Sequence, residues 1–257
     1  MKVKEALEIT GSLSKPSKMP GWAYGLPAKE CKTGSKLAKV KGSVCDGCYA
    51  LKGCYVFKVV QAAQYKRLKA IRSPLWVGAM SLIINSKKSK YFRWHDSGDV
   101  QDEEHLMKIF AVCKSTPTVK HWMPTREAWI KRFLPIKPDN LVIRFSATMV
   151  DQEAPESWPN TSTVVTAEAT CPAPKQDNEC KDCRACWNAE VKNVAYGSTS
   201  KIIQTQIDLV HEQWCRDNGY PVTSHKREAQ APRIKAQALR RKQQAPRSEA
   251  QASRLKP

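Results

Sequence analysis

The sequence predicts an α/β protein: a partial βα barrel of parallel strands with cysteine-rich metal-binding loops and a disordered basic C-terminal tail. Three observations predict it. Strand-like and helix-like patterns alternate between residues 90 and 170, the mark of parallel βα units. Short polar residues recur where each strand pattern ends. The clustered cysteines fall in two groups that flank this region.

The segment GSLSKPSKMPGWAYGLPAKEC is dense in Gly, Pro, Ser and Lys, so an extended run over the surface is expected. Past the first cysteine group, VFKVVQAAQYKRLKAI supports a helix with Val59, Ala62 and Ala63 on its apolar face. PLWVGAMSLIINSKK is a second helix, with Pro74 in its first turn. KYFRWHDSGD reads as a strand ending in turn residues, followed by the amphipathic helix DEEHLMKIFAVCKS. That helix has acids at its favourable end, and Ser97 and Asp102 are candidate caps. VKHWMPTR is a strand, EAWIKRFLP a helix, and NLVIRFSAT and STVVTAEAT two more strands. The expected organisation is a domain over residues 1–200, a helix over 201–223 and a tail over 224–257.

In parallel sheets ligands gather at the carboxyl ends of strands. Here those ends carry His95, Asp96, Ser97 and Asp99, then Thr125 and Arg126, then Ser146 and Thr148, then Thr166 and Glu168. Asp96, Ser97, Asp99 and Arg126 are the candidate cofactor-binding residues. A carboxylate accepts from a cationic amine, and a guanidinium grips a carboxylate with two parallel bonds. His95 is read as a ligand or general base, or as a histidine held by a neighbouring carboxylate. His105 and His121 are expected at the surface, Cys113 and Cys215 as buried thiols, and Trp22, Trp94, Trp122, Trp129 and Trp187 as core and site walls.

The chain has 257 residues, ten cysteines and a formal net charge of +19. It has no apolar run long enough for a membrane span, and its N-terminus lacks the apolar stretch of a secretory signal. A reducing cytoplasm is therefore expected, where clustered cysteines bind metals sooner than they form disulfides. Residues 225–257 hold ten Lys or Arg against two Glu and nearly repeat themselves, as EAQAPR and EAQASR. Such a segment buries too little to offset its ordering entropy. It is either a solubilising tail or a nonspecific, salt-sensitive contact to nucleic acid.

Cys180, Cys183 and Cys186 follow C-x2-C-x2-C spacing, with Cys171 upstream. Thiolates this close suit the corners of a 4Fe-4S cluster, and four cysteines also hold zinc. In the first group Cys45 and Cys48 form a pair, with Cys31 before them and Cys54 after. Three of the four can hold a cluster with one iron open; all four can close around zinc; or the pair binds nothing.

The motifs LSKPSKMPGWAYGLPAKEC, GSKLAKVKGSVCDGCYALKGCY, FRWHDSGDV, WMPTRE and CPAPKQDNECKDCRACW, in that order, resemble the phage gene product 88 domain family. The resemblance spans roughly residues 12 to 196. It matches Cys31, Cys45 and Cys48 to cysteine positions of the family and leaves Cys54 as an extra, which implies three ligands in the first site.

A weaker similarity is to radical S-adenosylmethionine enzymes, with SGD of FRWHDSGDV standing where their glycine motif meets the cofactor. The spacing here, C-x2-C-x5-C, differs from the C-x3-C-x2-C of that superfamily. The resulting expectation is an iron–sulfur protein of one or two clusters, in its sharper form a redox enzyme using S-adenosylmethionine. The alternative is a zinc-stabilised nucleic-acid-binding module.

Overall fold

The computed structural model describes residues 1–198; the expected helix over 201–223, the tail over 224–257 and Cys215 lie outside the described residues. Six strands form one sheet: β1 (Trp22–Tyr24), β2 (Tyr91–Trp94), β3 (Lys120–Thr125), β4 (Leu141–Ser146), β5 (Thr161–Val165) and β6 (Asn193–Gly197). They lie in sequence order, every neighbouring pair parallel. The sheet is open, with β1 and β6 at its edges.

Side chains of a strand alternate between faces, and here the two faces have different jobs. Phe92 and Trp94 of β2, Met123 of β3, and Leu141 and Ile143 of β4 enter the main core. They meet Trp76, Met80 and Ile83 of α4 (Trp76–Ser86) and Leu106 and Ile109 of α5 (Glu103–Lys114). Asp102 caps α5 by accepting from the His105 N–H at 2.9 Å. The opposite face carries Trp122 and Val194, which pack with Cys186 and Trp187 in a second, smaller core.

Arg144 of β4 is fully buried on that second face. Its guanidinium donates to six carbonyl oxygens: Ala185 and Asn188 at 2.8 Å, Val191 at 2.9 Å, Cys186 at 3.1 Å, Thr161 at 3.2 Å and Lys192 at 3.4 Å. Trp187 adds an indole N–H to the Phe92 carbonyl at 2.9 Å. One side chain therefore pins the loop between β5 and β6 onto the sheet.

Several expectations need correction. The lead-in segment is extended but not superficial, because it contains β1, whose Ala23 and Tyr24 are fully buried. Before it, α1 (Val3–Thr10) is an unforeseen helix, closed by Gly11 at φ 75° and tied to β1 by the Tyr24 hydroxyl, which donates to the Thr10 carbonyl at 2.6 Å. Short helix α2 (Lys32–Leu37) forms within the basic stretch.

In α3 (Lys58–Ala70) the buried face is polar, made of Gln64 and Arg67, while Val59 is 75% exposed. Those two polar side chains reach Ser97 Oγ and the Ser12 carbonyl, at 2.8 and 3.1 Å, so hydrogen bonding rather than apolar content sets the face. Residues Ala128–Ile136 form a 3-10 helix instead of an α-helix, and Pro135 denies it an N–H donor. His105 and His121 are buried, not exposed. His121 stacks on Trp94 and shares a 2.8 Å hydrogen bond with Thr116 Oγ1. Strand β6 carried too few alternations to be read from sequence.

Arg144→Met keeps much of the stem but removes every donor, stranding buried carbonyls that each cost about 1–3 kcal/mol when unsatisfied. The expected result is a loss of about 3 kcal/mol or more, read as a lower urea midpoint at unchanged slope. A loss below about 1 kcal/mol would show that water replaces the guanidinium.

Candidate functional site

A cavity of about 980 Å³ lies at the carboxyl ends of the strands, bordered by the β2, β3 and β4 termini, β5, β6 and the whole first cysteine group. The connection from β1 to α3 carries that group over the strand ends. Its loop is tied down by the Val44 N–H to the Thr148 carbonyl at 2.9 Å, and by the Val150 N–H to the Gly42 carbonyl at 3.1 Å. Glu127 secures the start of α2, accepting from the Thr33 N–H at 3.0 Å and from Trp129 Nε1 at 3.2 Å. Gly34 sits between two of the thiols. A Cβ built on it would stand 3.6 Å from Cys31 Sγ and 3.6 Å from Cys45 Sγ, so those sulfurs are no more than twice that distance apart.

Burial, then the Asp99 carboxylate and the Cys48 and Cys45 thiols, push the Cys31 thiol up to about 12, with Arg126 opposing. Burial also raises Cys45, against the pull of Arg126. Cys31 and Cys45 thus each sense the Cys48 thiol and Arg126. Cys54 borders the same cavity but is exposed. Among the described residues, no group of three or more His, Cys, Asp or Glu side chains is set to hold a metal ion as the side chains stand.

Three of the four candidate cofactor-binding residues, Ser97, Asp99 and Arg126, border the cavity. Asp96 does not: its carboxylate takes the Ser14 hydroxyl at 3.4 Å, and its carbonyl accepts from the Tyr49 hydroxyl at 2.7 Å. Asp99 accepts from the Val100 N–H at 2.7 Å, Thr125 Oγ1 at 2.8 Å and the Arg126 N–H at 2.9 Å. Burial nonetheless pushes its carboxyl up to about 6. Gly98 makes this turn possible: at φ 76°, a Cβ there would come within 2.7 Å of Leu26 Cβ and 2.8 Å of the Leu26 carbonyl oxygen.

Ser97 is not a helix cap but a link, donating to the Leu26 carbonyl at 2.7 Å. Ser146 borders the cavity and pairs with Ser162 at 3.0 Å. Thr148 and Thr166 instead serve turns, bonding Gln152 and Asp151. His95 borders the cavity with both ring nitrogens buried and without partners. Burial, with His105 and Arg93 nearby, holds its pKa well below the ordinary value, so the ring is neutral. The carboxylate partner considered for it is not there.

Sequence reasoning missed Arg93. It borders the cavity, lies 4.6 Å over the Trp122 ring, and has a buried Nε without a partner. The cation also acts on Cys180 and Cys186. The period-two pattern of β2 could have exposed it, since Phe92 and Trp94 claim the other face.

Cys186 and Cys171 join the second core, and Cys180 and Cys183 lie near enough to Cys171 to act on one another's titration. Burial raises Cys171 and Cys180, with the neighbouring thiols adding to it, and raises Cys186 to about 11. Cys186 Sγ lies 3.1 Å from the Tyr196 hydroxyl, and Tyr196 borders the cavity. None of the nine described cysteines forms a disulfide.

The family profile described as Gene product 88 matches residues 2–164. The chain belongs to the gene product 88 family. No curated protein and no solved structure significantly matches it. The gene product 88 match takes in the first cysteine group, the SGD turn and WMPTRE, and ends before Cys171. The resemblance read along the second cysteine group therefore lies outside it. Among the described residues no helix is long and apolar enough to cross a membrane.

Asp99 has a folded pKa near 6 against an ordinary 3.8. The folded state thus binds the proton more tightly, and this contribution to stability is present below about pH 4 and lost as pH rises toward 6. Asp99→Asn is expected to flatten stability across that window, as followed by urea midpoints at closely spaced pH. An unchanged slope would place the titration elsewhere.

Proposed function

We propose that the protein is an iron–sulfur protein that acts on an organic ligand in the strand-end cavity. Cys31, Cys45 and Cys48 would hold one cluster with an iron left open, and Cys171, Cys180, Cys183 and Cys186 a second. The observation that carries this reading is the convergence of three mutually interacting thiols on one cavity that also holds Asp99 and Arg126. The donor set is all sulfur, and in the second group its C-x2-C-x2-C spacing suits a cluster.

Charge supports the reading as well. Arg144 is fully buried and makes no salt bridge among the described residues. Burial lowers its pKa, against the pull of Tyr196 and Cys186. A buried cation is costly without compensation, and a metal–thiolate centre beside Cys186 would provide it.

When bound, a cluster supplies one-electron chemistry and an open coordination position. The chain's own groups position the ligand. Asp99, held by three hydrogen bonds, presents an acceptor to a cationic amine. Arg126, with an unpartnered buried Nε, presents a fork to a carboxylate. S-adenosylmethionine carries both groups and is the cofactor proposed for this pair. The tail and a cytoplasmic setting complete the proposal.

Protein purified without oxygen is expected to be brown and to carry iron with acid-labile sulfide. Cys45→Ser and Cys183→Ser should each lose about half of that iron, leaving the other centre's absorbance. A colourless protein holding zinc would overturn the reading. Arg126→Met is expected to weaken S-adenosylmethionine binding about tenfold in calorimetric titration. No detectable binding by the iron-loaded wild type would remove that cofactor alone.

A further inference from the structure

The segment that carries the first cysteine group along the cavity is rich in lysine. Residues 29–69 hold nine Lys, besides the buried Arg67, against one Glu and one Asp. Helix α2 borders the cavity through Gly34 and Ser35 and leaves Lys32 and Lys36 exposed. Exposed Lys52 borders it directly. The ion pairs among the described residues use Arg72, Lys108 and Arg132, so no rim lysine is neutralised by one.

Among these charges stand aromatic rings. Tyr49 is 57% and Phe57 60% exposed. Tyr49 is not a loose tip. Its hydroxyl donates to the Asp96 carbonyl and lies 3.4 Å from Arg93, and its ring meets Tyr55 edge-on at 5.8 Å. A ring anchored at its polar end and open on its surface is a stacking platform, and lysines around it match a phosphate backbone.

We infer that the substrate offered to this cavity is single-stranded nucleic acid, gripped by the lysine rim and stacked on Tyr49 and Phe57. This rests on the reading of the cavity as a reaction site. Exposed ring faces stack on bases only where those are unpaired, which favours a single strand over a duplex. The same lysines and apolar side chains would also suit an anionic membrane. However, a bilayer pressed on this patch would seal a cavity lined with arginine and serine, and Tyr49 is held too firmly to insert.

The test uses the full chain and a fluorescent mixed-sequence 20-nucleotide DNA or RNA strand, followed by anisotropy over a salt series. Single-strand affinity is expected to exceed duplex affinity. Phe57→Ala should weaken it about fivefold or more. Lys36→Glu with Lys52→Glu should lower the salt slope by about 0.7 per lysine. Cys54, exposed at the mouth, reports location: bound strand should slow its alkylation by N-ethylmaleimide, read by mass spectrometry.

Binding that ignores these substitutions and leaves Cys54 unprotected would assign it to residues 225–257 and overturn the inference. So would absent binding, or binding to phosphatidylserine vesicles but not to strands. Iron and sulfide are measured on the same preparations. Iron-loaded protein that ignores the strand sinks only this inference, whereas a metal-free protein that still binds through Phe57 sinks only the iron–sulfur reading.

Discussion

A buried arginine that makes no salt bridge among the described residues is the constraint around which this molecule is arranged. Arg144 turns from β4 into the face of the sheet that the helices leave free and gathers carbonyl oxygens from β5 and from the loop before β6. Carbonyls solvate a guanidinium but do not cancel its charge. The loop they belong to brings Cys186 and Trp187 into the second core. With one part of that face filled in this way, the space at the strand ends is left as the cavity.

The cavity is shaped by opposite needs held close together. Thiols and a carboxylate that burial drives toward neutrality face Arg93 and Arg126, two cations with buried nitrogens lacking partners. Each set is uncomfortable alone. On the proposed reading, a metal that turned the thiols into thiolates would set negative charge beside the arginines. The neutral, unpartnered His95 belongs to the same pattern, since buried polar atoms without partners are rare in settled cores. Around the mouth stand exposed Lys32, Lys36 and Lys52, which make no ion pair among the described residues.

Strand and helix existence was legible wherever periodicity was clean. β2, α5, β3 and β4 stand where alternation and amphipathic spacing put them, and the polar residues at their ends do converge on one site through Ser97, Asp99, Thr125, Arg126 and Ser146. Errors came where burial was paid for in hydrogen bonds. Val59, Ala62 and Ala63 looked like the apolar face of α3, yet its buried residues are Gln64 and Arg67; His105 and His121 looked like surface and are core. Asp96 looked equivalent to Asp99, yet backbone direction past His95, at φ 56°, turns it to Ser14 and Gly25.

Local sequence by itself determined the alternating α/β class, the capped α5, the glycine turn at 98 and the two cysteine groups, because each depends on a few neighbouring residues. Only tertiary structure decided which thiols share the cavity, which strand-end acid borders it, that Arg93 borders it too, and that Arg144 is interior. Those outcomes depend on contacts between segments far apart in the chain, as between Gly42 and Val150 or between Trp187 and Phe92. No local pattern encodes which distant carbonyl will satisfy a buried donor.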